Sequence, residues 1–191
     1  PKIFLDYKKV IEIEDIDAVD ICTDHRHHHI IGNFFLEAGK HVMVEKPMGI
    51  TVKACRKMIQ AAEKNGRVLA VAENYRRSLD NRAIKWVIEN GYIGDVQMIF
   101  SGCVGGVAPF GRDAIVIGTP WRHVKVKTGA GPVLDNGVHD MDLFRYFNGE
   151  VEEAMGVTKT FEKVRVTRDK DGNIVDHVKN TVEDAGLAIL K

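Results

Sequence analysis

The sequence predicts an α/β protein: a partial parallel sheet with helices on both faces, followed by an α+β domain with a mostly antiparallel, open sheet. Two observations predict it. Across residues 16–76, short apolar runs alternate with amphipathic segments of helical period, and beyond residue 77 the apolar runs lengthen and become one-sided. Strand–helix repeats of this length imply right-handed crossovers, which lay the strands parallel and cover both faces of their sheet.

Residues 16–23 form a short apolar strand. The next segment places Ile30, Ile31, Phe34, Phe35 and Ala38 on one helical face and closes at Gly39, which suits a C-terminal cap. His41-Val42-Met43-Val44 is the second strand and runs into Glu45-Lys46-Pro47. Thr51 is the expected N-cap of a helix whose Val52, Cys55, Met58, Ile59 and Ala62 recur at helical spacing up to Gly66. Residues 67–72 make a third apolar strand. A helix over residues 80–90, carrying Ile84, Trp86, Val87 and Ile88, stops at Gly91. Strands follow over 96–104, 151–160, 163–168 and 183–190, with Asp169-Lys170-Asp171-Gly172-Asn173 as a turn. Residues 105–120 read as a long loop of the kind that covers a site. The change of pattern puts the domains at 1–77 and 78–191.

Composition narrows the function. With 191 residues, 45% of them hydrophobic, the chain holds enough apolar surface for a proper core. Lys and Arg (27) balance Asp and Glu (27), so no global field draws nucleic acid or an anionic membrane. No apolar run approaches the ~20 residues that span a bilayer, and the opening residues show no signal-peptide pattern. The odd number of cysteines, with Cys22 and Cys55 in apolar patterns, favours buried reduced thiols over disulfides. A cytoplasmic protein is expected.

Two stretches carry chemistry. Lys46 stands at the carboxyl tip of a buried parallel strand, where α/β enzymes present charge to a ligand. Pro47 fixes its own φ, pushes Lys46 out of helical geometry, and makes a cis peptide bond there possible. The plainer reading is a strand that stops at a proline with a solvated lysine. The second stretch is Gly129-Ala130-Gly131-Pro132-Val133-Leu134-Asp135-Asn136-Gly137-Val138-His139-Asp140-Met141-Asp142. Glycines lead into a helix ending at Asn148-Gly149, and the i, i+4 spacing puts Asp135 and His139 on one face. A carboxylate accepting from one imidazole nitrogen leaves the other free as a base. The plainer reading is an Asp cap and a histidine on a solvated face. Lys46, Asp135 and His139 together would handle a substrate hydroxyl across a cleft between domains. His139 would take the proton while Lys46 stabilises the oxygen.

In this order and spacing, these residues resemble the Gfo/Idh/MocA (glucose–fructose oxidoreductase/inositol dehydrogenase) family of NAD(P)-dependent oxidoreductases. The resemblance runs through Asp17-Ala18-Val19-Asp20-Ile21-Cys22-Thr23, Glu45-Lys46-Pro47, Val71-Ala72-Glu73-Asn74-Tyr75-Arg76-Arg77, Trp121-Arg122 and Asp135-x-Gly137-x-His139-x-x-Asp142. It implies the later part of a Rossmann domain, then a substrate and oligomerisation domain, in a homodimer or homotetramer. It implies NAD or NADP as cofactor and a sugar, polyol or related small alcohol as substrate. Lys46 and His139 become the catalytic pair, with Asp135 beside His139. Thr23, His25, His28, Glu45, Lys46 and Asn74 fall to the cofactor, and Arg76, Trp121, Arg122, Asp135 and His139 to the substrate.

The loop after Thr23 departs from the family's Pro-Asn-x-x-His, having Asp24 and His25 before His28. No G-x-G-x-x-G precedes residue 16. The chain is therefore expected to be an internal piece of a longer enzyme. A non-catalytic dinucleotide- or sugar-binding protein and a metal-dependent hydrolase remain alternatives. The second rests on His25, His27, His28 and His29. Successive helical residues point about 100° apart, so these four do not converge on one ion, and no metal ligand is assigned.

Overall fold

The computed structural model describes residues 2–13, 15–103 and 113–191, which fall into two compact units, Pro1–Ala72 and Glu73–Lys191. The first runs β1 (Ala18–Ile21), α1 (His25–Glu37), β2 (His41–Val44), α2 (Val52–Asn65) and β3 (Leu69–Val71), after a short 3-10 turn at Tyr7–Glu12. The three strands are parallel in the order β1-β2-β3, with Ala18 opposite His41 and Val42 opposite Leu69. Both helices start on side-chain caps: Asp24 accepts from the His27 N–H, and Thr51 from the Ala54 N–H. Gly66 closes α2 at φ +60°, a left-handed cap that any side chain would strain.

Consecutive strand order with same-handed crossovers puts α1 and α2 side by side, so these two helices meet the expected cover on one face. Val42 and Val44 point into it. There they pack with Ile21, Phe35, Leu36, Met58, Ala61 and Ala62 in one core, while the intervening Met43 is 43% exposed. Cys22, Cys55 and Cys103 are free thiols. Only Cys55 is partly covered; Cys22, expected to be buried, is exposed because it lies just past the end of β1.

The second unit runs α3 (Leu79–Glu89), α4 (Lys125–Thr128), α5 (Pro132–Asp135), α6 (Gly137–Asn148), β4 (Ala154–Lys159), β5 (Val164–Arg168), β6 (Ile174–Lys179) and β7 (Ala185–Leu190). Its ladders are two antiparallel pairs, β4 with β7 and β5 with β6. The Asp169 carboxylate accepts from the Asp171 and Asn173 N–H groups at 2.9 Å and shapes the turn from β5 to β6. The expected strand over 96–104 does not form across residues 96–103: Met98 and Phe100 alternate as a strand face would, yet are 84% and 88% exposed. Alternation supplies a face; a strand also needs a ladder partner. Residue 104 and residues 105–112 of the expected loop lie outside the described residues, and Ala114 makes a parallel bridge to Val166. Among the described residues, no helix is long and apolar enough to cross a membrane.

Candidate active site

In the first unit the candidate residues sit at the carboxyl ends of the parallel strands, where strand geometry leaves loops free to meet a ligand. Thr23 follows β1 and is exposed; Glu45 and Lys46 follow β2 and are half-buried. The Glu45 carboxylate accepts from the Lys46 N–H at 3.0 Å. The Lys46–Pro47 peptide bond is cis.

His28, fully buried, joins the two strand exits. Its Nδ1 lies 2.8 Å from the Pro47 carbonyl oxygen and its Nε2 3.1 Å from that of Thr23. His25 is buried at the first turn of α1, its ring 5.7 Å from that of His28. His27 turns outward to Asp24, with Nδ1 2.5 Å from the carboxylate. The histidine-rich segment therefore packs the start of α1, which Asp24 caps, and its rings aim in different directions. Among the described residues, no group of three metal-ligating side chains assembles.

In the second unit the chemistry gathers on α6. His139 is 7% exposed. Its Nδ1 lies 2.8 Å from each oxygen of Glu73, and the Tyr75 ring stacks on it at 3.8 Å and 6°. The Arg76 guanidinium forks onto Asp142, one turn further along α6, with Nε donating at 2.6 Å and a second nitrogen to the other oxygen. That ion pair raises the Arg76 pKa further. Asn74 is exposed at the start of the Tyr75–Arg77 turn, without a side-chain cap bond.

The expected Asp135–His139 pair is corrected. The chain leaves helical hydrogen bonding between α5 and α6, so residues four apart no longer share one continuous face. The carboxylate on His139 comes from Glu73, 66 residues earlier, and Asp135 instead takes the Arg122 guanidinium. Arg122 also lies over the Trp121 ring, 4.6 Å from its centroid. Trp121, Arg122 and Asp135 are thus brought together as one cluster. Beside it His123 is buried, and its Nε2 accepts the Val116 N–H at 3.1 Å. Desolvation, with Arg165 and Arg122 adding repulsion, lowers the His123 pKa to about 4. Sequence reasoning did not single out Glu73 as a site residue; its one signal was a carboxylate two residues beyond β3, inside the Val71–Arg77 motif.

Comparison with known proteins matches residues 2–73 to the model "Oxidoreductase family, NAD-binding Rossmann fold" and residues 81–191 to the "GFO/IDH/MocA C-terminal domain". The chain is 32% identical over 148 residues to D-glucoside 3-dehydrogenase of Escherichia coli, covering 78% of this chain and 40% of the relative. It is 33% identical over 158 residues to levoglucosan dehydrogenase of Pseudarthrobacter phenanthrenivorans, covering 82% and 39%. The chain thus spans about two fifths of the length of these relatives. Among solved structures, levoglucosan dehydrogenase in complex with NADH and levoglucosan superimposes with a TM-score of 0.77 at 26% identity, covering 98% of this chain and 48% of that one. An oxidoreductase domain protein from Kribbella flavida superimposes at 0.76 and 29%, covering 97% and 48%. The chain belongs to the Gfo/Idh/MocA oxidoreductase family.

Proposed function

We propose that this chain forms part of an NAD(P)-dependent dehydrogenase that oxidises, reversibly, a secondary alcohol of a sugar, polyol or related small molecule. The observation that carries this reading is Lys46: a half-buried ammonium at the carboxyl end of a parallel strand, its backbone fixed by Glu45 and Pro47. The residues here fit the ribose and nicotinamide end of a dinucleotide, because a hydroxyl (Thr23), a carboxylate (Glu45) and an ammonium (Lys46) stand at the exits of two paired strands. The chemistry such a cofactor supplies when bound is a hydride acceptor.

In this mechanism Lys46 hydrogen-bonds the substrate oxygen and stabilises the negative charge that grows there as the proton leaves. His139 accepts that proton, and burial keeps competing water from its ring. Arg122 and Arg76, each anchored by a carboxylate, have guanidinium N–H groups beyond those bonds that suit sugar hydroxyls. Relatives named for glucosides, levoglucosan and, in Thermotoga maritima, myo-inositol point to the same substrate class.

The test is a fluorescence titration of the whole protein with NADH and NADPH, followed by turnover on a polyol panel for wild type and Lys46→Ala. Saturable binding and a loss of turnover of about 10²-fold or more in the variant are expected. Near-normal turnover in Lys46→Ala would remove the lysine from the mechanism. Cofactor binding without turnover on any alcohol would favour a sensor.

A further inference from the structure

We propose that Glu73 is a positioning residue for His139: it holds a hydrogen on Nδ1 and so presents Nε2, lone pair outward, to the substrate hydroxyl. The inference deepens the dehydrogenase reading and rests on it for its catalytic consequence. Both Glu73 oxygens lie 2.8 Å from Nδ1, and the two side chains are 10% and 9% exposed. An ionised carboxylate only accepts, so the hydrogen between the groups belongs to the ring. The tautomer is then Nδ1–H, and Nε2 is the basic atom.

The neighbours of Glu73 complete the clamp. Tyr75 lies flat on the imidazole at 3.8 Å, which fixes the ring plane. Arg76 forks onto Asp142, which fixes the helix that carries the ring. Glu73, Tyr75 and Arg76 occupy one short stretch at the start of the second unit, so a single segment sets tautomer, plane and height. In the oxidation, the hydroxyl O–H bond breaks and its proton bonds to Nε2. The carbinol C–H pair would leave as hydride to the acceptor a bound dinucleotide supplies, with formation of the C=O bond. The imidazolium so produced lies against the Glu73 carboxylate, which stabilises it.

The experiment is 15N NMR of the whole protein labelled at histidine, with kinetics, for wild type, Glu73→Gln and Glu73→Asp. Glutamine is isosteric, and the Tyr75 N–H that donates to Oε1 at 2.9 Å keeps the amide oxygen there, so the amide N–H turns to Nδ1 and selects the opposite tautomer. Wild type should show the Nδ1–H ring for His139, and Glu73→Gln the Nε2–H ring. In Glu73→Gln kcat should fall by about 10²-fold or more while KM stays within about threefold. Glu73→Asp, which keeps the carboxylate, should recover part of the loss.

A wild-type Nε2–H ring, or identical ring signals in wild type and Glu73→Gln, would overturn the assignment whatever the activity. The tautomer change without nicotinamide-linked turnover on any alcohol would leave Glu73 in its role and bring down the dehydrogenase reading instead.

Discussion

Gly131 is buried where the chain approaches α5, and a Cβ there would lie 1.9 Å from the Glu183 carbonyl oxygen. The obstacle is backbone, so relief requires moving either the start of α5 or the segment before β7. Gly131→Ala should therefore destabilise the protein by about 1–3 kcal/mol. Denaturant unfolding would show it as a lowered midpoint, and a midpoint unchanged from wild type would show that the contact relaxes freely. At this scale the sequence was most legible where one residue dictates its own surroundings. Lys46 could be placed because a proline closes the short apolar run His41-Val42-Met43-Val44. His139 was found as a candidate base, but its partner was misread, since i, i+4 reasoning sees one helix and the structure has two. Glu73 is 66 residues from His139; local spacing carries no information over that range.

Helix α2 shows how far an element can be read from local signals alone. Thr51 accepts from the Ala54 N–H at 3.1 Å, Met58, Ala61 and Ala62 are buried at helical spacing, and Gly66 ends the run. Thr51→Ala removes the cap's acceptor and should cost about 1 kcal/mol, read as a lower Tm with the helical circular dichroism of the folded state retained. A Tm unchanged from wild type would mean water satisfies the amide as well as the hydroxyl does. The strands of the second unit were less legible. Residues 174–179 form β6 although no strand was expected there, because its side chains are mostly exposed and polar residues interrupt the pattern. Residues 96–103 erred the other way. Whether an exposed run becomes a strand is decided by a neighbour distant in sequence, here β5 for β6.

Over the whole molecule, the acid response should follow His123. In the unfolded chain its imidazole titrates near 6.5, while in the folded protein it resists protonation until about 4. Between these values the unfolded state binds the extra proton, so stability is fully present above pH about 6.5 and declines as pH falls toward 4. Protonation of Nε2 would also displace the Val116 N–H that it accepts. A loss on the order of 3 kcal/mol is expected across that window. Comparing unfolding of wild type and His123→Gln from pH 7 to 4 would check it: the variant's curve should be flatter, and parallel curves would exclude His123 as the cause. The parallel sheet, the antiparallel domain and their order along the chain were legible because binary patterning sets them. The electrostatics of His123 were not, since they depend first on burial and then on Arg165, brought close by folding.

One ring in the first unit touches the carbonyls of both Thr23 and Pro47. The exits of two neighbouring strands are thereby riveted to a common buried point, like two fingers held by one knuckle. The spacing of the two backbone turns that carry Thr23 and Lys46 is thus gauged from the interior of the protein.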